Sequence, residues 1–151
     1  MTKIIIGSDH AGFKLKNILV SYLKKKKNFI IKDVGTCNEE SCDYPLFAAH
    51  VAKGVSSGIY KRGILICKSG IGNSIVANKF PRVRAALCYN LAQVKLSRQH
   101  NDSNILVLGA SFTKPALAKK MVNVWLGEKF EGGRHKRRVD QIRSIEKRVG
   151  L

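Results

Sequence analysis

Short apolar runs alternate with longer stretches of helical periodicity along most of the chain. This alternation is typical of repeated strand–helix units, whose strands form a parallel sheet. Each apolar run has the length of a buried strand, and the five runs are Lys3–Ile6, Phe29–Val34, Gly63–Cys67, Val83–Cys88 and Ile105–Leu108. The pattern therefore predicts an α/β fold, a Rossmann-like three-layer α/β/α sandwich around a five-stranded parallel sheet.

The predicted helices lie between and after these runs. The clearest has a single apolar stripe with helical spacing, formed by Leu15, Ile18, Leu19, Tyr22 and Leu23. Weaker helical patterns cover about Pro45–Ser57, Gly70–Lys79, Leu91–Gln99 and Lys114–Leu126. After Glu131-Gly132-Gly133 an extra, very polar C-terminal helix is predicted, with a narrow apolar seam of Val139, Ile142, Ile145 and Val149. So narrow a seam suits docking against a partner subunit or a sheet edge.

Length and composition predict one ordinary globular domain. The chain has 151 residues and a mass of 16.8 kDa, with 44% hydrophobic and 25% charged residues. No internal repeat or Gly/Ser linker indicates a second unit, so we expect a single domain over residues 1–151. No segment has the length of a membrane span or the pattern of a signal peptide, so we expect a cytoplasmic protein without membrane contacts.

The charge balance favours anionic ligands. Against 10 acidic residues the chain has 28 Lys and Arg, a formal charge of +18. One basic run, Lys24–Lys27, falls at a predicted helix end, where cations are stabilised by the helix dipole. A nucleic-acid-binding module is a competing hypothesis, but only 7% of residues are aromatic, too few for a base-stacking platform. We therefore expect no specific nucleic-acid partner.

The loop Gly7–Gly12 follows the first strand and leads into a helix, where backbone N–H groups favour an anion. It is not a P-loop, because Phe13 and Lys14 follow where Lys and Ser or Thr are required. A phosphate site is one interpretation of this loop. In the other, Asp9 caps the helix and His10 is a surface residue.

The segment Cys67–Ser74 follows the third strand and contains two glycines, Gly70 and Gly72, that allow N–H groups to converge on an oxyanion. Ile75 replaces the third glycine of a dinucleotide fingerprint, so neither NAD binding nor a nucleotide-binding regulatory module is favoured. Cys67 lies beside Lys68 and a predicted helix start, which predicts a thiol pKa below the usual value of about 8.5. The alternative for Cys67 is a small buried hydrophobe.

A polar cluster, Ser97–Asp102, lies between the fourth and fifth strands, and we place it with the other two sites at the strand ends. His100 in this cluster could act as a general acid or base. The remaining cysteines have neither zinc-ligand nor disulfide spacing, and we expect Cys37 and Cys88 to be packing residues and Cys42 a loop thiol. Together the three sites indicate an enediolate isomerase with no redox cofactor and no metal.

Seven segments spread over nearly the whole chain form a pattern that resembles one enzyme family. In chain order they are Gly7-Ser8-Asp9-His10-Ala11-Gly12, Asp43-Tyr44-Pro45, Ile64-Leu65-Ile66-Cys67, Ser69-Gly70-Ile71-Gly72, Ala77-Asn78-Lys79, Leu96–Asp102 and Glu131-Gly132-Gly133-Arg134-His135. The family is that of the sugar-phosphate isomerases, the group of ribose-5-phosphate isomerase type B and galactose-6-phosphate isomerase. The resemblance implies conversion of D-ribose 5-phosphate to D-ribulose 5-phosphate in the pentose phosphate pathway. It also implies a homodimer or dimer of dimers without a metal.

The resemblance further implies roles for individual residues. Cys67 would be the proton-abstracting base, Ser69 would assist proton movement between oxygens, and His100 of the neighbouring subunit would be the ring-opening acid. The loop around the enediolate would be Ser69, Gly70, Ile71, Gly72 and Asn73. The sugar would contact Asp9, Tyr44 and Asn101, and the phosphate would contact His10, Arg134 and Arg138.

Two residues depart from the family pattern. Lys68 stands where a glycine commonly follows the base, and its cation would favour both the thiolate and the enediolate. Ser111 stands where relatives often have an arginine, which removes one possible phosphate contact. The cysteine at position 67 is as in the ribose-type members, although allose 6-phosphate and galactose 6-phosphate remain alternative substrates.

Overall fold

Five strands form one parallel sheet in the order β2-β1-β3-β5-β4. The computed structural model describes residues 1–151, and its strands are β1 (Thr2–Ser8), β2 (Phe29–Asp33), β3 (Arg62–Cys67), β4 (Ala85–Leu87) and β5 (Ile105–Gly109). Its helices are α1 (Phe13–Lys24), α2 (Tyr44–Ser56), α3 (Ile71–Ala77), α4 (Leu91–Gln99), α5 (Pro115–Gly127) and α6 (Arg134–Arg148). The predicted fold class is confirmed, including the additional C-terminal helix.

Apolar residues on both faces of the strands create the three layers. Successive side chains of a strand point to opposite faces, so a strand that is apolar throughout needs helices on both sides. In β1, Ile4 and Ile6 pack in the core that includes α1, α4 and α5, whereas Ile5 packs against α2. Strands β3 and β5 repeat this division, which gives two cores separated by the sheet.

The fourth strand is shorter than the predicted run. Before Ala85 the chain is engaged by other groups, because the N–H of Val83 donates to the carbonyl of Phe80 and that of Arg84 to the side-chain oxygen of Asn104. These bonds take up backbone groups that would otherwise extend the ladder with β5.

A buried lysine ties α1 to the end of β2. Lys16 is 2% exposed, and its Nζ donates to Asp33 Oδ2 at 2.7 Å and to the carbonyl oxygen of Thr36 at 2.9 Å. A buried ammonium requires such partners, because an unpaired charge is costly away from water. The contact fixes the chain where it leaves the sheet beside β1.

Trp125, on α5, is the only tryptophan of the chain and is fully buried. Its indole Nε1 donates to Ser103 Oγ at 2.8 Å, and Ser103 in turn shares a hydrogen bond with Ser97. A buried indole N–H needs an acceptor, so this bond fixes α5 against the turn that precedes β5.

Helix α6 lies next to the β4 edge of the sheet. Val139 is buried, and Glu146 accepts the N–H of Arg82 at 2.9 Å. The other seam residues, Ile142, Ile145 and Val149, are exposed. One end of the predicted seam thus packs on the fold, and the rest is uncovered in the monomer. None of the six helices combines the length and the apolar character needed to cross a bilayer.

Replacing Lys16 by methionine should lower the free energy of unfolding by about 1–3 kcal/mol, because Asp33 and the Thr36 carbonyl lose their donor. The matched control is Lys14→Met, since the Lys14–Glu39 pair is exposed on both sides and should contribute less than about 0.5 kcal/mol. Urea unfolding of both variants measures the difference. Equal losses of stability would show that the Lys16 contact is no stronger than a surface ion pair.

Candidate active site

The carboxyl end of β3 carries a thiol held inside a tight loop. Cys67 is 4% exposed, and its Sγ accepts the N–H of Gly70 at 3.2 Å. Gly70 has a φ of +83°, a left-handed conformation that a side chain disfavours, and a Cβ there would lie 2.4 Å from a methyl carbon of Leu87. Glycine at this position therefore allows the chain to turn back over the thiol before α3 begins.

Ser69 is fixed within the same loop by three contacts. Its Oγ accepts the N–H of Ile71 at 3.2 Å, and its carbonyl oxygen accepts the hydroxyl of Tyr89 at 3.1 Å. A Cβ on Gly109 would lie 2.5 Å from that carbonyl oxygen, so β5 also approaches the loop closely. These contacts hold the loop in one conformation, so it is not an open turn.

The environment of Cys67 raises its thiol pKa. Burial away from water is the largest cause, and the negative charge of Asp9 acts in the same direction. Backbone N–H groups of Gly70, Asn73 and Ser69 oppose the increase without reversing it. The predicted lowering of this pKa is therefore wrong. Lys68 is exposed and is not among the groups that shift the pKa, so the reasoning from its adjacency in sequence fails.

Two further side chains line the loop. A Cβ on Gly72 would lie 2.4–2.6 Å from ring and hydroxyl atoms of Tyr44, so the Tyr44 ring lies directly against the loop. Asn73 is 1% exposed, and neither atom of its side-chain amide has a hydrogen-bond partner within the chain. Because buried amides are normally satisfied, Asn73 is a candidate to bind a polar ligand.

The loop after β1 lies at the same edge of the sheet. Asp9 is buried, and its Oδ1 accepts the N–H of Gly12 at 3.0 Å, which closes the turn before α1. The helix itself begins at Phe13 without a side-chain cap, so the interpretation of Asp9 as a helix cap is wrong. His10 Nδ1 accepts the N–H of Cys42 at 3.2 Å. This bond assigns the Nδ1 lone pair to the backbone and leaves Nε2 as the donor of a neutral ring.

The other cysteines differ partly from expectation. Cys88 is buried, and burial raises its pKa to about 11, in agreement with a packing role. Cys37 is exposed, so its assignment as a packing residue is wrong; its surroundings are polar loop residues rather than sheet. Cys42 is half-buried and contacts His10, with Sγ 3.8 Å from Nδ1.

His100 lies at the opposite edge of the sheet. It follows α4, which runs back from the carboxyl edge, and it precedes the first residue of β5. The side chain of Arg84 bonds the carbonyl oxygens of Asn101 and Asp102 at this amino edge. Placing His100 and Asn101 with the strand-end loops was therefore wrong: in a parallel sheet the end of a crossover helix lies opposite the carboxyl edge.

The start of α6 joins His100 at the amino edge. His135 stacks on His100 with ring centroids 4.0 Å apart and ring planes 7° apart. Arg134 directly precedes His135, Arg138 follows three residues later, and both side chains are exposed. Glu131 lies 3.6 Å from His135 Nε2. His100, Glu131 and His135 are the kinds of side chain that bind metals, but the in-plane lone pairs of parallel rings do not converge on one ion.

The predicted site residues thus form two groups, which the sheet separates. The carboxyl-edge group contains Asp9, His10, Tyr44, Cys67, Lys68, Ser69, Gly70, Ile71, Gly72 and Asn73. The amino-edge group contains His100, Asn101, Arg134 and Arg138. The pairing of Gly63 with Ile105 and of Cys67 with Gly109 places about 13 Å of strand between the two edges. One chain does not bring the two groups together.

A buried thiol beneath a tight glycine loop at the carboxyl edge of a parallel sheet is typical of a small-molecule enzyme of the α/β sandwich class. The family model described as Ribose/Galactose Isomerase matches residues 4–142. The chain belongs to this family, which confirms the resemblance inferred from its motifs.

Individual relatives support the same assignment to this family. The chain is 47% identical to ribose-5-phosphate isomerase B of Escherichia coli K12 over 148 residues, 98% of this chain and 99% of the relative. The structure of Clostridium thermocellum ribose-5-phosphate isomerase B superposes with a TM-score of 0.95, at 48% identity, covering 99% and 100% of the two chains. The Mycoplasma genitalium enzyme with bound ribulose-5-phosphate has a TM-score of 0.93 at 40% identity, and the match covers 97% of each chain.

In the native protein, iodoacetamide should modify Cys67 at least about tenfold more slowly than Cys37 at pH 7, because burial restricts access to the sulfur and the raised pKa depletes the reactive thiolate. Mass spectrometry of the two cysteine-containing peptides measures the rates, and in urea the rates should converge. Faster modification of Cys67 than of Cys37 in the native protein would show an activated thiolate instead.

Proposed function

We propose that this chain is an aldose–ketose isomerase that interconverts D-ribose 5-phosphate and D-ribulose 5-phosphate. The observation that carries the proposal is the Cys67 thiol, buried beneath a loop of backbone donors at the edge of the sheet where α/β enzymes bind ligands. The names of the Escherichia coli and Clostridium relatives support the substrate. The protein would act as one isomerase domain over residues 1–151.

The chemistry would be a proton transfer between adjacent carbons. The Cys67 thiolate removes the proton from C2 of the open-chain aldose, and the electrons of that C–H bond form the enediolate. The same proton returns to C1, while the proton of the C2 hydroxyl moves to the C1 oxygen with help from Ser69. N–H groups of the loop from Gly70 to Asn73 stabilise the negative oxygens, so the reaction needs no redox cofactor and no metal.

The sugar and phosphate contacts would come from both groups of residues. Tyr44 and Asp9 border the loop and would bind hydroxyl groups, and the unpartnered amide of Asn73 would add a further contact. His10 would donate from Nε2 to the phosphate, with Arg134 and Arg138 as the paired cations.

Lys68, which stands where the family commonly has a glycine, would also contact the substrate. The N–H of Ser111 donates to the carbonyl of Lys68 at 3.1 Å, so the two unusual residues are neighbours at the carboxyl edge. We propose that the Lys68 ammonium supplies positive charge to the substrate in the region where Ser111 cannot.

A homodimer, or a dimer of dimers, would complete the site. To act on the same substrate as Cys67, the amino-edge group would have to come from another copy of the chain, because one chain keeps the two edges about 13 Å apart. Exposed apolar side chains support such an interface, because large hydrophobic groups outside the core commonly mark contacts between proteins. They include Leu46 on α2, Ile71 and Ile75 on α3, Ile142 and Ile145 on α6, and Val149 directly after α6. In a two-fold dimer each partner would supply one half of two equivalent sites.

The proposed substrate and product also imply a metabolic pathway. Interconversion of these pentose phosphates would belong to the pentose phosphate pathway, and the cytoplasmic location stays a prediction. The alternative substrates are allose 6-phosphate and galactose 6-phosphate, since the matching family model includes galactose isomerases.

The test of function is turnover of the three sugar phosphates under identical conditions. Ribose 5-phosphate should give the highest kcat/KM, and Cys67→Ala should lower kcat by about 10²–10⁴-fold without unfolding the protein. The value of kcat/KM should rise with pH between about 6 and 8. The raised pKa leaves most of Cys67 protonated near neutrality, so a higher pH increases the fraction of the thiolate that acts as the base. Preference for a six-carbon sugar, or near-normal turnover by Cys67→Ala, would contradict the proposal.

Mixing two inactive variants tests the shared site. Cys67→Ala and His100→Ala chains should each be nearly inactive, and after dissociation and reassociation about half of the dimers should be mixed. Each mixed dimer has one intact and one doubly damaged site, so about a quarter of wild-type activity should return. A matched control mixes Cys67→Ala with Ser69→Ala, whose substitutions fall in the same half-site and should restore nothing. Demonstrated subunit exchange without recovered activity would place Cys67 and His100 in one chain's site.

A further inference from the structure

The stack of His135 on His100 has no part in the roles assigned above. The two rings are nearly parallel, with centroids 4.0 Å apart, and come from the end of α4 and the first turn of α6. His135 is 6% exposed, whereas His100 is only partly buried. A full face of the His100 ring is therefore covered by a side chain that is itself held in the interior.

Backbone and side-chain contacts fix His135 before any substrate binds. The N–H of Glu131 donates to the carbonyl of Gln99 at 3.1 Å, and the Gln99 amide donates to Glu128 at 3.1 Å. The N–H of His135 donates to Gly132 at 3.0 Å, and Val139, one turn further along α6, is buried. The segment before α6 is thus bound to the end of α4, directly beside His100.

Burial and nearby positive charges lower the pKa of His135 below its usual value, which favours the neutral ring. Burial is the first cause that lowers its pKa, followed by the facing ring of His100 and by Arg134; Arg138 acts in the same direction and Glu131 opposes them. On the α4 side, Arg98 is paired with Asp102 at 2.7 Å. A neutral His135 presents a flat face that does not repel a protonated neighbour.

We propose that His135 is a positioning residue for ring opening: its stacked face holds the His100 imidazole in the orientation from which it delivers a proton to the sugar. This inference rests on the proposed function. In the step concerned, the proton of His100 passes to the ring oxygen as the bond from that oxygen to C1 breaks. The C1 hydroxyl releases its proton to water, which recharges His100, and C1 becomes the aldehyde.

A flat ring, rather than a titrating or hydrogen-bonding one, is what this role requires. His135→Phe should retain the stack, whereas His135→Leu fills a similar volume without a planar face. For ribose 5-phosphate we expect kcat to fall by at least about tenfold in His135→Leu and to stay within about threefold of wild type in His135→Phe, with KM little changed in both. Thermal unfolding of the two variants controls for damage to the fold.

A measurement that does not depend on enzyme activity can test the positioning role of His135 separately from the proposed function. In proton NMR the carbon-bound protons of the His100 ring should be shifted by the stacked ring in wild type and in His135→Phe, and should lose that shift in His135→Leu. An inactive wild-type protein that shows the shift would refute the function alone. Loss of kcat in His135→Phe equal to that in His135→Leu, unchanged kcat in both, or absence of the shift in wild type would each overturn the positioning role.

Discussion

Parallel pairing of all five strands is the constraint on which the rest of the structure depends. Strands that run in the same direction can be joined only by crossovers, so each helix between two strands returns the chain from the carboxyl edge to the amino edge. Residues that begin such a helix and residues that end it therefore lie far apart. Cys67 precedes α3 and His100 closes α4, and the distance between them follows from topology rather than from any local interaction.

The thiol environment balances two opposing effects. Burial and Asp9 favour the protonated form of Cys67, whereas the N–H groups that converge on the sulfur favour the thiolate. In the proposed mechanism the same donors would serve the sulfur before the reaction and the substrate oxygens during it. A buried thiol whose pKa is raised is a poor nucleophile in the resting protein, because little of it is ionised.

The fold and most of the carboxyl-edge group could be predicted from sequence, because apolar runs, helical spacing and glycines are local signals. Properties that depend on residues distant in sequence could not be predicted. The sign of the Cys67 pKa shift depends on how deeply the loop is buried, and the edge at which His100 lies depends on the direction of α4. Lys16 lies between Leu15 and Leu19 in a lysine-rich helix and shows no sign in sequence of its contact with Asp33. His135 was visible only as part of a family motif, and its stack required the loop between α5 and α6 to be in place.

The hydrogen bond between Trp125 and Ser103 gives the molecule an intrinsic optical reporter. The only indole of the chain is buried next to the turn that leads from His100 into β5, with the Arg62 guanidinium 5.6 Å from its ring. Its emission spectrum depends on that environment, so fluorescence reports the state of the amino edge without a label. The carboxyl-edge loop contains no tryptophan, so the emission reports the amino edge without an indole contribution from that loop.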